Sequence, residues 1–262
     1  MNYQLENRRA LVSGSTKGIG FATALALARE GAQVILSGRT EASVAEATGR
    51  LKAELPSAQV LGFAGDMSKP DDVTALVSRY PDIDILVNNL GIFDPKPFED
   101  IPDEDWQRFF EVNVMSGVRL SRAYLPGMKL RNWGRVVFIS SESAIQIPVE
   151  MIHYGTTKTA QLALSRGLAE SCAGTGVTVN SVLPGPTRSE GINELVGKLS
   201  GGESFAAFEK TFFEQARPSS LLKRFISPEE VANMVAYVCS AAASATTGAA
   251  LRVDGGVVRS AF

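Results

Sequence analysis

Short runs of apolar residues alternate with longer segments of helical period from one end of the 262-residue chain to the other. The runs Ala10 to Val12, Val34 to Ser37, Val60 to Ala64, Ile83 to Val87, Arg135 to Ile139, Val177 to Leu183 and Gly248 to Val253 predict seven buried strands. Between them, Phe21 to Glu30, a segment through Leu55 ended by Pro56, and a segment opened by Ser68 and Pro70 predict helices. A long helix should follow Asp103, Glu104 and Asp105, carry Asn113 in its interior and be disturbed at Pro126; another should carry Tyr154, with Leu164 and Leu168 facing the sheet. That rhythm predicts βαβ units and a parallel sheet, without repeats, low-complexity tracts or linkers, hence a single domain over 1–262.

The rhythm breaks at residues 186–225, with glycines between Gly197 and Gly202 and with Phe205, Phe208, Phe212 and Phe213 at helical spacing. Such a stripe is either ordinary core or, directly after a strand's carboxyl end, a substrate lid.

Composition narrows the function classes. A formal charge of -2 with scattered Lys and Arg gives no footprint for nucleic acid. One histidine and two distant cysteines, Cys172 and Cys239, do not make a metal site; both cysteines read as buried small residues in a reducing compartment. With no signal peptide and no apolar run of membrane-spanning length, the expectation is a cytoplasmic protein that neither crosses nor binds a membrane.

Candidate chemistry concentrates at the strand ends. The first strand runs into Ser13-Gly14-Ser15-Thr16-Lys17-Gly18-Ile19-Gly20 and then a helix, so Gly14 suits a sharp turn, Gly18 a close approach to phosphate, and Gly20 tight helix packing. The fourth strand delivers Asn88-Asn89-Leu90-Gly91, the fifth Ser140-Ser141-Glu142-Ser143, and the sixth Pro184-Gly185-Pro186. Tyr154 and Lys158 stand four apart on one helix face, where a fixed cation would lower the phenol's pKa and make it a proton carrier. Taken alone, such a pair is most often two side chains on a half-exposed helix.

Taken together in this order, Gly-x-x-x-Gly-x-Gly, Asn88-Asn89-x-Gly91, Ser141, Tyr154-x-x-x-Lys158 and Pro184-Gly185 resemble the short-chain dehydrogenase/reductase family over essentially the whole chain. The resemblance implies a doubly wound, Rossmann-like α/β sheet with seven strands in the order 3-2-1-4-5-6-7. It implies hydride exchange between NADP(H) and a carbonyl or secondary alcohol, with Asn113, Ser141, Tyr154 and Lys158 as the catalytic tetrad. Ser141, thirteen positions before the tyrosine, is the serine of choice. Lys158 would bind the nicotinamide ribose and depress the tyrosine pKa, and Asn113 would hold a water linking Lys158 to solvent. Ser15, Thr16, Lys17, Ile19, Asp66, Met67, Asn89, Gly91, Pro184, Gly185, Thr187 and Ser189 join the glycines as cofactor contacts. Leu90 departs from the family's alanine and would narrow the site.

Arg39, after the second strand where an acid would select NAD(H), joins Lys17 in suiting a 2′-phosphate, so NADP(H) is the preferred cofactor and NAD(H) the alternative. A 3-oxoacyl-carrier-protein reductase, a polyol or sugar dehydrogenase, and a non-enzymatic NADPH sensor are the alternative functions. The family also implies a homo-oligomer, a tetramer or dimer, into which Val257-Val258 and Phe262 would be buried.

Overall fold

The structure is a computed structural model, which describes residues 3–189 and 204–261. Seven strands form one sheet: β1 (Arg9–Val12), β2 (Gln33–Gly38), β3 (Val60–Ala64), β4 (Ile85–Asn88), β5 (Gly134–Ile139), β6 (Val177–Pro184) and β7 (Ala250–Val253). Their order is β3-β2-β1-β4-β5-β6-β7, and every neighbouring pair is parallel. Helices α1 (Gly18–Arg29), α2 (Glu41–Glu54), α3 (Pro70–Arg79), α4 (Asp103–Phe110), α5 (Ser116–Leu130), α6 (Ile152–Ser171), α7 (Phe205–Gln215) and α8 (Pro228–Cys239) complete the described chain.

Alternation along the strands builds two cores. Ala10, Val12, Val34, Leu36, Ile85 and Val87 point to a face covered by α1, α2 and α8. Leu11, Ile35, Leu86, Val136 and Phe138 point to the opposite face, covered by α3, α5 and α6. Both faces are buried, which is why the strands read as unbroken apolar runs rather than as alternating ones. The strand order reverses direction between β1 and β4, so the loops after those strands splay apart and leave a crevice at the sheet's carboxyl edge.

Three expectations need correction. Asn113 lies in a π turn, Glu111–Met115, between α4 and α5, where the Ser116 N–H reaches back five residues to the Glu111 carbonyl. Pro126 stays inside α5, because Leu120, Tyr124, Leu125 and Met128 anchor that helix in the core and outweigh one missing hydrogen bond. Leu164 and Leu168 do pack against the sheet's second core as expected, and their half-buried outer sides border an apolar groove with Val118 and Leu125 of α5. The valines near the chain end are covered by their own chain: Val257 and Val258 are buried, and the Asp254 carboxylate accepts the Gly256 and Val258 amides. Phe262 and Gly197 to Gly202 lie outside the described residues. Cys172 and Cys239 are free and buried.

Candidate active site

The glycine loop after β1 is fixed from both sides. Ser15, fully buried, donates to the Val12 carbonyl at 2.7 Å and accepts the Ser37 amide at 2.9 Å, so its side chain pins the loop between β1 and β2. Asn89 Nδ2 donates to the Ser13 and Gly14 carbonyls at 2.9 and 3.0 Å. Gly14 has φ +62, a conformation that a side chain would strain, and a Cβ on Gly20 would fall 2.5 Å from both Asn89 Nδ2 and the Gly14 carbonyl oxygen. Helix α1 starts at Gly18 with no side-chain hydrogen bond capping its first turn. Its leading amides sit beside a loop that only glycine backbone can form, which fits a dinucleotide pyrophosphate. Thr16 and the exposed Lys17 stand at the outer edge of this loop, and exposed Arg39 follows β2.

Asp66 and Met67 follow β3. Asp66 accepts the Ser68 amide and hydroxyl at 3.0 and 2.7 Å. Burial pushes its pKa up, but those hydrogen bonds and the charges of Lys69 and Arg39 outweigh it and hold it below the ordinary value. Met67 buries its side chain in the core, leaving its backbone at the edge of the crevice. Leu90 packs over Gly14 of the glycine loop and against the same core.

A cavity of about 460 Å³ opens at the carboxyl edge of β4, β5 and β6, and Ile19, Asn89, Gly91, Ser141, Tyr154, Lys158, Pro184, Gly185, Thr187 and Ser189 all line it. The chain places Ser141 at the end of β5 and Tyr154 and Lys158 on α6. Ser141 stands close enough to Tyr154 to favour its ionised form, and Lys158 Nζ lies 5.6 Å from the Tyr154 ring centre. Lys158, 4% exposed, donates to the Ile139 carbonyl at 2.9 Å and lies 3.4 Å from Gln161 Oε1. A Cβ on Gly91 would come within 3.3 Å of that ammonium. Thr187 donates to the Gly185 carbonyl at 2.9 Å, and its segment bridges to Ile226, which fixes the wall after β6.

Burial changes the proton inventory. It pushes Lys158 down to about 7. It pushes Tyr154 above the ordinary phenol value; Glu142 adds to the rise, while the Ser141 hydrogen bond and Arg217 oppose it. The expected depression of the tyrosine by the lysine is therefore not what this protein shows alone, because the desolvation that would make a nearby cation strong also strips that cation of its proton.

Sequence reading missed several residues. Gln161 donates to the Asn113 backbone carbonyl at 2.5 Å and its Oε1 lies 3.4 Å from Lys158 Nζ, so an amide one turn beyond the lysine joins it to the Asn113 backbone. Glu142, Glu150 and Arg217 join across the cavity wall from positions far apart in the chain. Phe208, Phe212 and Phe225 complete the lining, with Phe212 and Phe225 5.0 Å apart between ring centres. The aromatic stripe is thus both packing and wall.

The comparisons agree with this geometry. A family model described as enoyl-(acyl carrier protein) reductase matches residues 14–258. An uncharacterized oxidoreductase of Bacillus subtilis, YvaG, is 49% identical over the full length of both chains, and a D-beta-hydroxybutyrate dehydrogenase of Cupriavidus necator is 33% identical over 97% of this chain and 99% of its own. Among solved structures, an L-sorbose reductase from Gluconobacter frateurii complexed with NADPH and L-sorbose superposes with a TM-score of 0.93 at 32% identity, covering 99% of this chain and 100% of that one. With these matches spanning the sheet and both sides of the crevice, the chain belongs to the short-chain dehydrogenase/reductase family of oxidoreductases.

Proposed function

We propose that this oxidoreductase uses NADP(H) to interconvert a small or medium carbonyl compound and its secondary alcohol, with Tyr154 passing the proton. The observation that carries the reading is the meeting of Ser141, Tyr154 and Lys158 on one wall of the cavity whose floor is the Asn89–Gly91 turn. The glycine loop, the Asn89–Gly91 turn and Pro184 to Ser189 would hold the dinucleotide, with Lys17 and Arg39 at its 2′-phosphate. Bound there, the nicotinamide supplies or takes the hydride. Ser141 orients the substrate oxygen. Tyr154, which keeps its proton at neutral pH, is in the form that reduction of a carbonyl needs, and it donates as negative charge gathers on that oxygen. The phenolate that results favours the protonated form of Lys158, whose charge then stabilises it, and Gln161 joins Lys158 to the Asn113 backbone.

The described parts of the expected lid, residues 186–189 and 204–225, border the substrate in this reading, supported by the aromatic wall that α7 and Phe225 give the cavity, while residues 190–203 lie outside the described residues. The chain works as a homotetramer or dimer in the cytoplasm, supported by the apolar groove between α5 and α6 and by the two buried thiols; no helix among the described residues is long and apolar enough to cross a membrane. The test is a screen of the purified protein with NADPH against ketones, aldehydes, sugars and 3-oxoacyl thioesters. Turnover of at least one class is expected; tight NADPH binding with turnover of none would make the protein a sensor instead.

A further inference from the structure

The cavity wall around Ser141 carries charges that are already paired. Glu142, one residue past Ser141, is 4% exposed; its Oε2 accepts the Ser141 hydroxyl at 2.5 Å and its Oε1 accepts Arg217 Nε at 3.2 Å. Arg217, 7% exposed, arrives from just beyond α7 and also donates through Nη1 to Glu150 Oε1 at 3.0 Å and to the Ala216 carbonyl at 2.8 Å. Two carboxylates therefore share one guanidinium. A carboxylate only accepts, so the serine commits its one proton to Glu142, while its oxygen accepts the Ser143 amide at 3.1 Å. In that arrangement Ser141 has no proton left for a substrate carbonyl.

We propose that Glu142 reads the substrate, and that the substrate is a neutral ketone with a hydroxyl on the carbon next to the carbonyl: a hydroxyketone or ketose, or the matching vicinal diol in the other direction. The inference rests on the reading of Ser141 and Tyr154 as the groups that face the substrate oxygen. The substrate hydroxyl donates to Glu142 Oε2 in place of Ser141, and the serine's proton turns to the carbonyl oxygen. Every donor keeps an acceptor, and Glu142 keeps two partners.

A plain ketone cannot make this exchange. It has no proton to offer Glu142, so either Ser141 stays turned away or a buried carboxylate loses a hydrogen bond. A ketone carrying a carboxylate does worse, because Arg217 is divided between Glu142 and Glu150, and Lys158, the other cation lining the cavity among the described residues, is engaged with the Ile139 carbonyl. The same wall thus selects for a donor group and against negative charge.

The experiment compares hydroxyacetone, acetone and pyruvate, three methyl ketones that differ in one substituent, as substrates with NADPH. For the wild-type protein kcat/KM should favour hydroxyacetone over acetone by roughly ten- to a hundredfold, the value of about one hydrogen bond to a charged group, with pyruvate lowest. Glu142→Gln, which keeps the size and removes the charge, should bring the hydroxyacetone-to-acetone ratio toward one and raise pyruvate. A general loss of packing would lower all three together and leave the ratios alone. Should the glutamine variant not fold, Glu142→Asp keeps the charge, shortens the reach by one methylene and should also shrink the ratio. Acetone turned over as well as hydroxyacetone by wild type, or a ratio unmoved by the substitution, would overturn the assignment to Glu142 while leaving the oxidoreductase reading intact. Turnover of no carbonyl compound, these three included, would overturn that reading and this one with it.

Discussion

Asn113 and Ile92 hold each other by a reciprocal pair of hydrogen bonds: Asn113 Oδ1 accepts the Ile92 amide at 2.8 Å, and Nδ2 donates to the Ile92 carbonyl at 3.0 Å. The same Nδ2 reaches Thr157 Oγ1 on α6, also at 3.0 Å. One amide side chain thus joins the π turn, the loop after β4 and the helix that carries Tyr154 and Lys158. A residue poorly suited to a helix interior stands where regular helix is interrupted, and its side chain does the work of a short strand pairing.

Replacing Asn113 with alanine should therefore loosen the loop before it unfolds the protein. Stability should fall by about 2 kcal/mol, from backbone groups left without partners, and the Ile92 amide should exchange with solvent much faster. An exchange rate at Ile92 equal to that of the wild type would show that the loop is held by something else.

The strands were legible because both faces of the sheet are buried, so runs such as Ile85, Leu86 and Val87 have few other readings, whereas their order came only from the family resemblance. The π turn at Glu111–Met115 was not, since one extra residue per turn leaves no mark on a pattern of apolar positions. Pro126 misled because propensity is local, while the packing of Tyr124, Leu125 and Met128 that overrides it is not. At the site, Ser141, Tyr154 and Lys158 stood out through their fixed spacings. Glu142 and Arg217 did not, being 75 positions apart with no local pattern to join them.

Tyr154→Phe removes the phenolic proton and little else, because the ring keeps its edge-on contact with Phe93, 6.4 Å between centres. Activity should fall by about 10² to 10⁴-fold, the usual contribution of a positioned acid, with NADPH affinity preserved. A variant that keeps most of its turnover would mean that another group carries the proton.

Lys158 links stability to pH. Burial lowers it from 10.5 to about 7 in the folded protein, so between those values the unfolded chain binds the extra proton and the folded chain does not. Below about 7 both states are charged and folding carries the whole burden of the buried ammonium; above it, stability rises with pH toward 10.5, by at most ~1.4 kcal/mol per pH unit. Urea unfolding of wild type and Lys158→Met should show the wild type gaining on the variant as pH is raised from neutral. A constant difference across that window would place the lysine's proton elsewhere.

Cofactor choice rests on the end of β2. No acid stands there to accept from a ribose hydroxyl; Gly38 closes the strand and exposed Arg39 follows, with Lys17 in the glycine loop nearby. Since a hydrogen bond to a charged group contributes ~1.5–3 kcal/mol, Arg39→Ala should lower the preference for NADP(H) by roughly ten- to a hundredfold. Converting the site to NAD(H) takes more than placing an aspartate at Gly38, because a Cβ there would lie 2.5 Å from Thr16 Cγ2 and 3.2 Å from Ser43 Oγ and Val44 Cγ2. Thr16 has little freedom to retreat: its carbonyl accepts Arg50 Nη2 at 2.5 Å, and Arg50 is itself laid over the Phe21 ring. Gly38→Asp alone should therefore push the glycine loop out of place and weaken both cofactors. Adding Thr16→Ser removes the clashing methyl and keeps the hydroxyl, so the triple variant Thr16→Ser, Gly38→Asp, Arg39→Ala should bind NADH better than the wild type does. Ratios of kcat/KM for the two cofactors across this series check each step, and a wild type that already favours NADH would show that Arg39 does not read the 2′-phosphate.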